Sequence, residues 1–133
     1  MMYASAATMT DFDGTVDRMT QRLRRMRHGL PEILAAFVLT ADGLPVSAVT
    51  RIGADEEMVA AASAALLGLA RKVARVLEQG NLNQMVIQGS EQDFVIAGGP
   101  GDAVLAAVLE KGSNLGLVAV DVQRAASEIL ELV

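Results

Sequence analysis

The sequence predicts an α+β domain whose chain runs helix, two strands, helix, three strands, helix. Three observations predict it. Three stretches repeat their apolar residues at steps of three and four, short apolar runs of strand length lie between them, and tight Gly, Pro and Asp turns join those runs. Turns this short make successive strands antiparallel neighbours.

A first helix is expected over about 11–28. Phe12, Val16, Met19, Leu23 and Met26 share one face, Asp11 and Asp13 sit at the positive helix end, Gly29 offers a stop, and Pro31 confirms the break. Residues 1–10 read as a flexible tail preceding a domain over 11–133. The run Ile33–Thr40 is continuously apolar, as a strand covered on both faces would be, and Ala41-Asp-Gly43 turns it into a partner over 44–50. Pro45 cannot donate to a ladder, so this second strand belongs at a sheet edge.

The long helix over 55–79 opens with Asp55-Glu-Glu57, carries Arg71, Lys72 and Arg75 late, and stops at Gly80, so its charges oppose the macrodipole. Met58, Ala62, Ala65, Leu66, Leu69, Val73, Val76 and Leu77 form one broad stripe, and Ala61, Ala64 and Gly68 widen it toward a second surface. One surface can cover a sheet; the other needs a different partner. Strands are expected over 82–88, 93–98 and 103–110, then a last helix over about 116–132 burying Val118, Val122, Ala125, Ile129 and Leu132.

Composition narrows the class. At 133 residues and 52% hydrophobic, the chain suits one domain, but only 3% is aromatic, so small aliphatic residues must compensate by close packing or association. The net charge of −5 argues against a nucleic-acid protein. Absence of cysteine excludes disulfides and thiolate zinc sites. The first ten residues lack the basic start and apolar core of a secretion signal, and the apolar run over 59–70 falls well below the roughly 20 residues of a bilayer span, so a cytoplasmic location is expected.

No segment carries a catalytic arrangement, and a non-enzymatic role without cofactor or metal is expected. Gly98-Gly-Pro-Gly101 lacks the lysine of a phosphate-binding loop, Lys111-Gly-Ser113 has its order reversed, and both read as tight turns. The single histidine, His28, stands at a helix end among arginines, suiting a surface or capping role. Asp55-Glu-Glu57 spreads three carboxylates around a helix with no histidine or cysteine nearby, so helix-start electrostatics accounts for them. Met19, Met26 and Met58 fall on apolar stripes as core filler. Arg18, Arg22, Arg24, Arg25 and Arg27 scatter over the exposed sides of the first helix; without interleaved aromatics and in an acidic whole they favour a solvated or partner-facing surface over nucleic-acid or membrane contact, and no direct membrane insertion is expected.

The element order, with Thr40-Ala-Asp-Gly-Leu-Pro-Val46, the Ala-rich helix running into Leu77-Glu-Gln-Gly-Asn-Leu82, and Ser113-Asn-Leu-Gly-Leu-Val118, resembles the roadblock/dynein light chain family over about residues 20–133. The resemblance implies a profilin-like five-stranded antiparallel sheet with the long helix on one face and two terminal helices on the other. It implies a homodimer in which strand 82–88 pairs with its symmetry mate and the long helices lie side by side. The expected interface is Ala61, Ala64, Ala65, Gly68, Lys72, Asn83, Met85 and Ile87; an edge strand bearing the last three, with few blocking charges, would also need covering on general grounds. Family members bind Ras-like small GTPases as activators of hydrolysis or as scaffolds, or serve as light-chain subunits of motor complexes. Arg71, Lys72 and Arg75 are then candidates to meet an acidic GTPase surface, with Arg71 or Arg75 able in principle to act as a finger in trans. A small-molecule sensor and a purely architectural subunit are the alternatives from other classes.

Overall fold

A computed structural model describes residues 6–78, 80–98 and 103–130. Its elements follow the expected order: α1 (Ala6–Gly29), β1 (Ile33–Thr40), β2 (Pro45–Thr50), α2 (Glu56–Val76), β3 (Gln84–Gln88), β4 (Gln92–Gly98), β5 (Ala103–Glu110) and α3 (Leu115–Leu130). The strands form one antiparallel sheet in the order β2-β1-β5-β4-β3. Pro45 therefore lies on an edge strand, where its missing donor costs no ladder bond. Val46 bulges there: Val38 pairs with Ser47 and Leu39 with Pro45.

Period-two alternation sorts the strands into two cores. On one face Ile33, Ala36, Val38, Val95, Ala97, Leu105, Ala107 and Leu109 pack against Met19, Leu23 and Met26 of α1 and Val118, Val122, Ala125 and Ile129 of α3. On the other, Ala35, Phe37, Leu39, Ile96, Val104 and Ala106 pack against Ala60 and Leu67 of α2. β1 is buried on both faces, as its unbroken apolar run requires.

Several boundaries differ from the sequence reading. The first helix starts at Ala6, not near residue 11, because Ala6-Ala7 are strong helix formers that extend it; Asp11 and Asp13 thus fall beyond the first turn. α2 ends earlier, with Leu77 as its C-cap; Glu78 (φ +55°) and Gly80 (φ +81°) then take the left-handed conformation that cannot continue a helix. Its N-terminus is as expected, the Asp55 carboxylate accepting from the Met58 N–H at 3.2 Å. Asn114 caps α3 similarly, accepting from Leu117 N–H at 3.2 Å. Leu132 and residues 1–5 lie outside the described residues, as does the side chain of Phe12.

The main correction concerns α2. The broad stripe of Met58, Leu66, Leu69, Val73, Val76 and Leu77 does not cover the sheet; it faces outward. The inner face is built from Ala60, Ser63, Leu67 and Ala74, with Ala64 packed alongside. Volume decides this: the sheet beneath presents Phe37, Leu39 and Ile96, so a mostly small inner face, with Leu67 as its one large side chain, lets the two surfaces close without overlap. Met58, read as core filler, is exposed; Met19 and Met26 are buried.

Candidate functional site: the outer face of the long helix

Five large apolar side chains of α2 and that of its C-cap Leu77 are 38–73% exposed, Leu66 the least and Val76 the most. Burying one such side chain completely is worth about 1.5–3 kcal/mol, so this face leaves several kcal/mol of transfer free energy unrealised. Single exposed aliphatics are ordinary; a contiguous row on one helix marks an interaction surface. Ala65, Leu69, Lys72 and Val76 recur at steps of four and three within it, and Ala65 and Lys72 are exposed.

The expected interface residues fall into three groups. Ala65, Gly68 and Lys72 are exposed, and a Cβ added at Gly68 would meet nothing within 4 Å. Ala61 and Ala64 border the protomer's own β1–β2 turn: a Cβ on Gly43 would lie 3.1 Å from Ala61 Cα and 3.6 Å from Ala64 Cβ. Their small size has an intramolecular reason. Met85 and Ile87 of β3 are half-buried, turned toward the α2 side of the sheet, whereas Asn83 is exposed and its carbonyl accepts from Gly98 N–H at 3.0 Å. β3 is the second sheet edge, with Val86 also 42% exposed.

The basic residues of α2 also separate. Arg75 and Lys72 are exposed, but Arg71 is half-buried on the inner side, four residues from Leu67 and three from Ala74. Its guanidinium lies over Gly98, where a Cβ would come within 2.6 Å of Nη2 and 3.1 Å of Leu67 Cδ2. Arg71 is thus part of the helix–sheet contact.

Elsewhere polar side chains serve the fold. Lys111 Nζ donates to Asp93 Oδ1 at 2.9 Å, neutralising a buried carboxylate. Gln84 donates to the Ala119 carbonyl at 2.9 Å, tying β3 to α3. Arg51 donates to the Pro31 carbonyl and, at 3.1 Å, to that of Ile33. His28 is exposed at the end of α1. Among the described residues there is no group of histidine, cysteine or carboxylate side chains arranged to hold a metal ion, and no helix is long and apolar enough to cross a membrane.

The class the fold defines is a three-layer α+β domain, with an exposed apolar row on one helix and β3 at a sheet edge. The Roadblock/LC7 domain model matches residues 19–110, more than half of the chain, and the chain belongs to that family. An uncharacterized protein of Methanocaldococcus jannaschii, MJ0310, is 30% identical over 97 residues, which cover 73% of this chain and 84% of that protein. Among solved structures, MglB with a tetrameric arrangement has a TM-score of 0.81 at 15% identity, covering 99% of this chain and 93% of that one. Profilin IB of Acanthamoeba castellanii has a TM-score of 0.56 at 13% identity, covering 77% and 89%. Identities this low show a shared fold.

Proposed function

We propose that this chain is a non-catalytic regulator or scaffold of a Ras-like small GTPase, acting as a homodimer in the cytoplasm. The observation that carries the reading is the outward apolar row of α2, Met58 to Leu77, together with the edge position of β3. Two such helices side by side would remove both rows from water, and pairing of β3 with its symmetry mate would satisfy the edge donors and acceptors. The resemblance to the family favours a Ras-like GTPase as partner class, and the tetrameric arrangement of the structurally similar MglB supports self-association. The dimer would select a hydrolysis-competent arrangement of the partner's own switch loops, biasing an equilibrium the partner already has. Lys72 and Arg75 are the cations available to an acidic partner surface; Arg71, committed to Gly98, suits neither that contact nor a finger role.

Two measurements test this. Sedimentation of wild type against Ala65→Glu and Gly68→Glu should show a dimer become monomeric, since each variant puts an unpaired charge between the helices. A dimer unchanged in both refutes this interface. Pull-down with candidate GTPases in each nucleotide state, followed by hydrolysis rates, then separates an activator from a scaffold. Absence of binding in every state counts against both.

A further inference from the structure

The α1 segment from Arg18 to His28 contains five of the chain's eleven lysines and arginines and no carboxylate, in a protein of net charge −5. Positive charge is therefore concentrated in this one segment of the layer opposite α2, with Asp17 just before it and Asp121 and Glu128 on the neighbouring α3. Arg18, Arg24, Arg25 and His28 are exposed, and Arg22 and Arg27 half-buried. Arg22 pairs with Glu128 of α3, and Arg124 with Asp121 at 3.3 Å, so the two acidic residues α3 offers nearby are engaged. Among the described residues, Arg18, Arg24, Arg25 and Arg27 have no carboxylate partner. Compensation of the helix dipole acts within the last turn and explains Arg27; Arg18 lies far outside its range.

We infer that the α1–α3 layer is a docking surface for an anionic phospholipid bilayer. The cations extend over about 15 Å of helix, ten residues at 1.5 Å rise, and around more than one side of it, which suits an array of spaced phosphates better than one small ligand. The four without a carboxylate partner are all arginines, whose planar fork binds phosphate in bidentate fashion. On the neighbouring α3, Leu117 and Val120 are 56% and 55% exposed on the stripe that also carries Arg124, giving the same layer two aliphatic contacts for the headgroup boundary. Single-stranded nucleic acid fits less well because, among the described side chains, the phenylalanines Phe37 and Phe94 both belong to the α2 side. The surface lies on the far side of the sheet from the α2 row, so a protein partner and a membrane would not compete.

The test is co-sedimentation of the full chain with vesicles of phosphatidylcholine alone and of phosphatidylcholine mixed with phosphatidylglycerol. Binding is expected only to the anionic vesicles, and should fall as salt is raised. Arg18→Glu with Arg25→Glu should reduce it at least about tenfold, from a loss of roughly five-fold per basic residue before charge reversal is counted. Both positions are exposed and unpaired, so the unfolding midpoint should not move, and the sedimentation-derived dimer should persist, which keeps this outcome separate from the α2 interface. Equal binding to both vesicle types, or anionic binding untouched by the double variant, overturns the inference. So does retention on a poly-glutamate matrix without vesicle binding, which would assign the layer to an acidic polypeptide.

Discussion

Gly43, at the tip of the β1–β2 hairpin, rests against Ala61 on α2 so closely that a Cβ on the glycine would stand 3.1 Å from the Ala61 α-carbon. The turn holds itself in that position: Gly43 N–H donates to the Thr40 carbonyl at 2.9 Å, and Leu44 N–H to Thr40 Oγ1 at 3.0 Å. Gly43 also has φ +93°, where an L side chain is strained. Replacement by alanine should therefore combine backbone strain with a contact against main chain, and cost about 1–3 kcal/mol. A urea unfolding midpoint equal to wild type would show that the turn does not dock on α2 as described.

Leu67 and Leu69 are two residues apart and face opposite ways, being 2% and 64% exposed. Leu67→Ala should lower stability by about 2–4 kcal/mol through transfer and cavity terms. Leu69→Asp should leave protomer stability nearly unchanged while abolishing self-association. Unfolding at low protein concentration, paired with sedimentation, distinguishes the two effects; a Leu69→Asp variant that still dimerises would remove this face from the interface.

Arg71 and Arg75 differ by one helical turn and should differ in kind. Arg75→Ala should weaken GTPase capture without affecting unfolding, because the side chain is exposed on the helix surface. Arg71→Ala should instead lower stability by about 1 kcal/mol, since the side chain covers Gly98 and Leu67. If Arg71→Ala folds with wild-type stability yet loses a GTPase-stimulating activity, the finger role would be restored.

Asp93 and Lys111 make an ion pair with a buried carboxylate end, the Asp93 side chain being 3% exposed and that of Lys111 45%. Lys111→Met leaves that carboxylate without its partner and should cost about 1–3 kcal/mol. Asp93→Asn, which removes the charge with the need for it, should cost less. Chemical denaturation of both variants checks the ranking, and the reverse order would mean that the Asp93 carboxylate is satisfied by something other than Lys111.

Much of this molecule was legible before any coordinates. The 3.6 period of Met19, Leu23 and Met26 and of Val118, Val122 and Ile129 named the faces of α1 and α3 that are buried, and Asp55 marked the start of α2. Pro45 put β2 at an edge. The half-burial of Arg71 was not legible, because a cation late in a helix satisfies the dipole whichever way it points, whereas its neighbours Leu67 and Ala74 lie on the inner side.

Local spacing and turn chemistry, which act over a few residues, were enough to set the element order and the strand pairing by hairpins. Which of two apolar surfaces on α2 meets the sheet was settled only in three dimensions. Periodicity favours the bulkier one, but packing is a matter of matched volumes: Phe37, Leu39 and Ile96 already fill much of the space above the strands, so Ala60, Ser63 and Ala74 turn inward around the single large Leu67, and Leu69, Val73 and Val76 are left exposed.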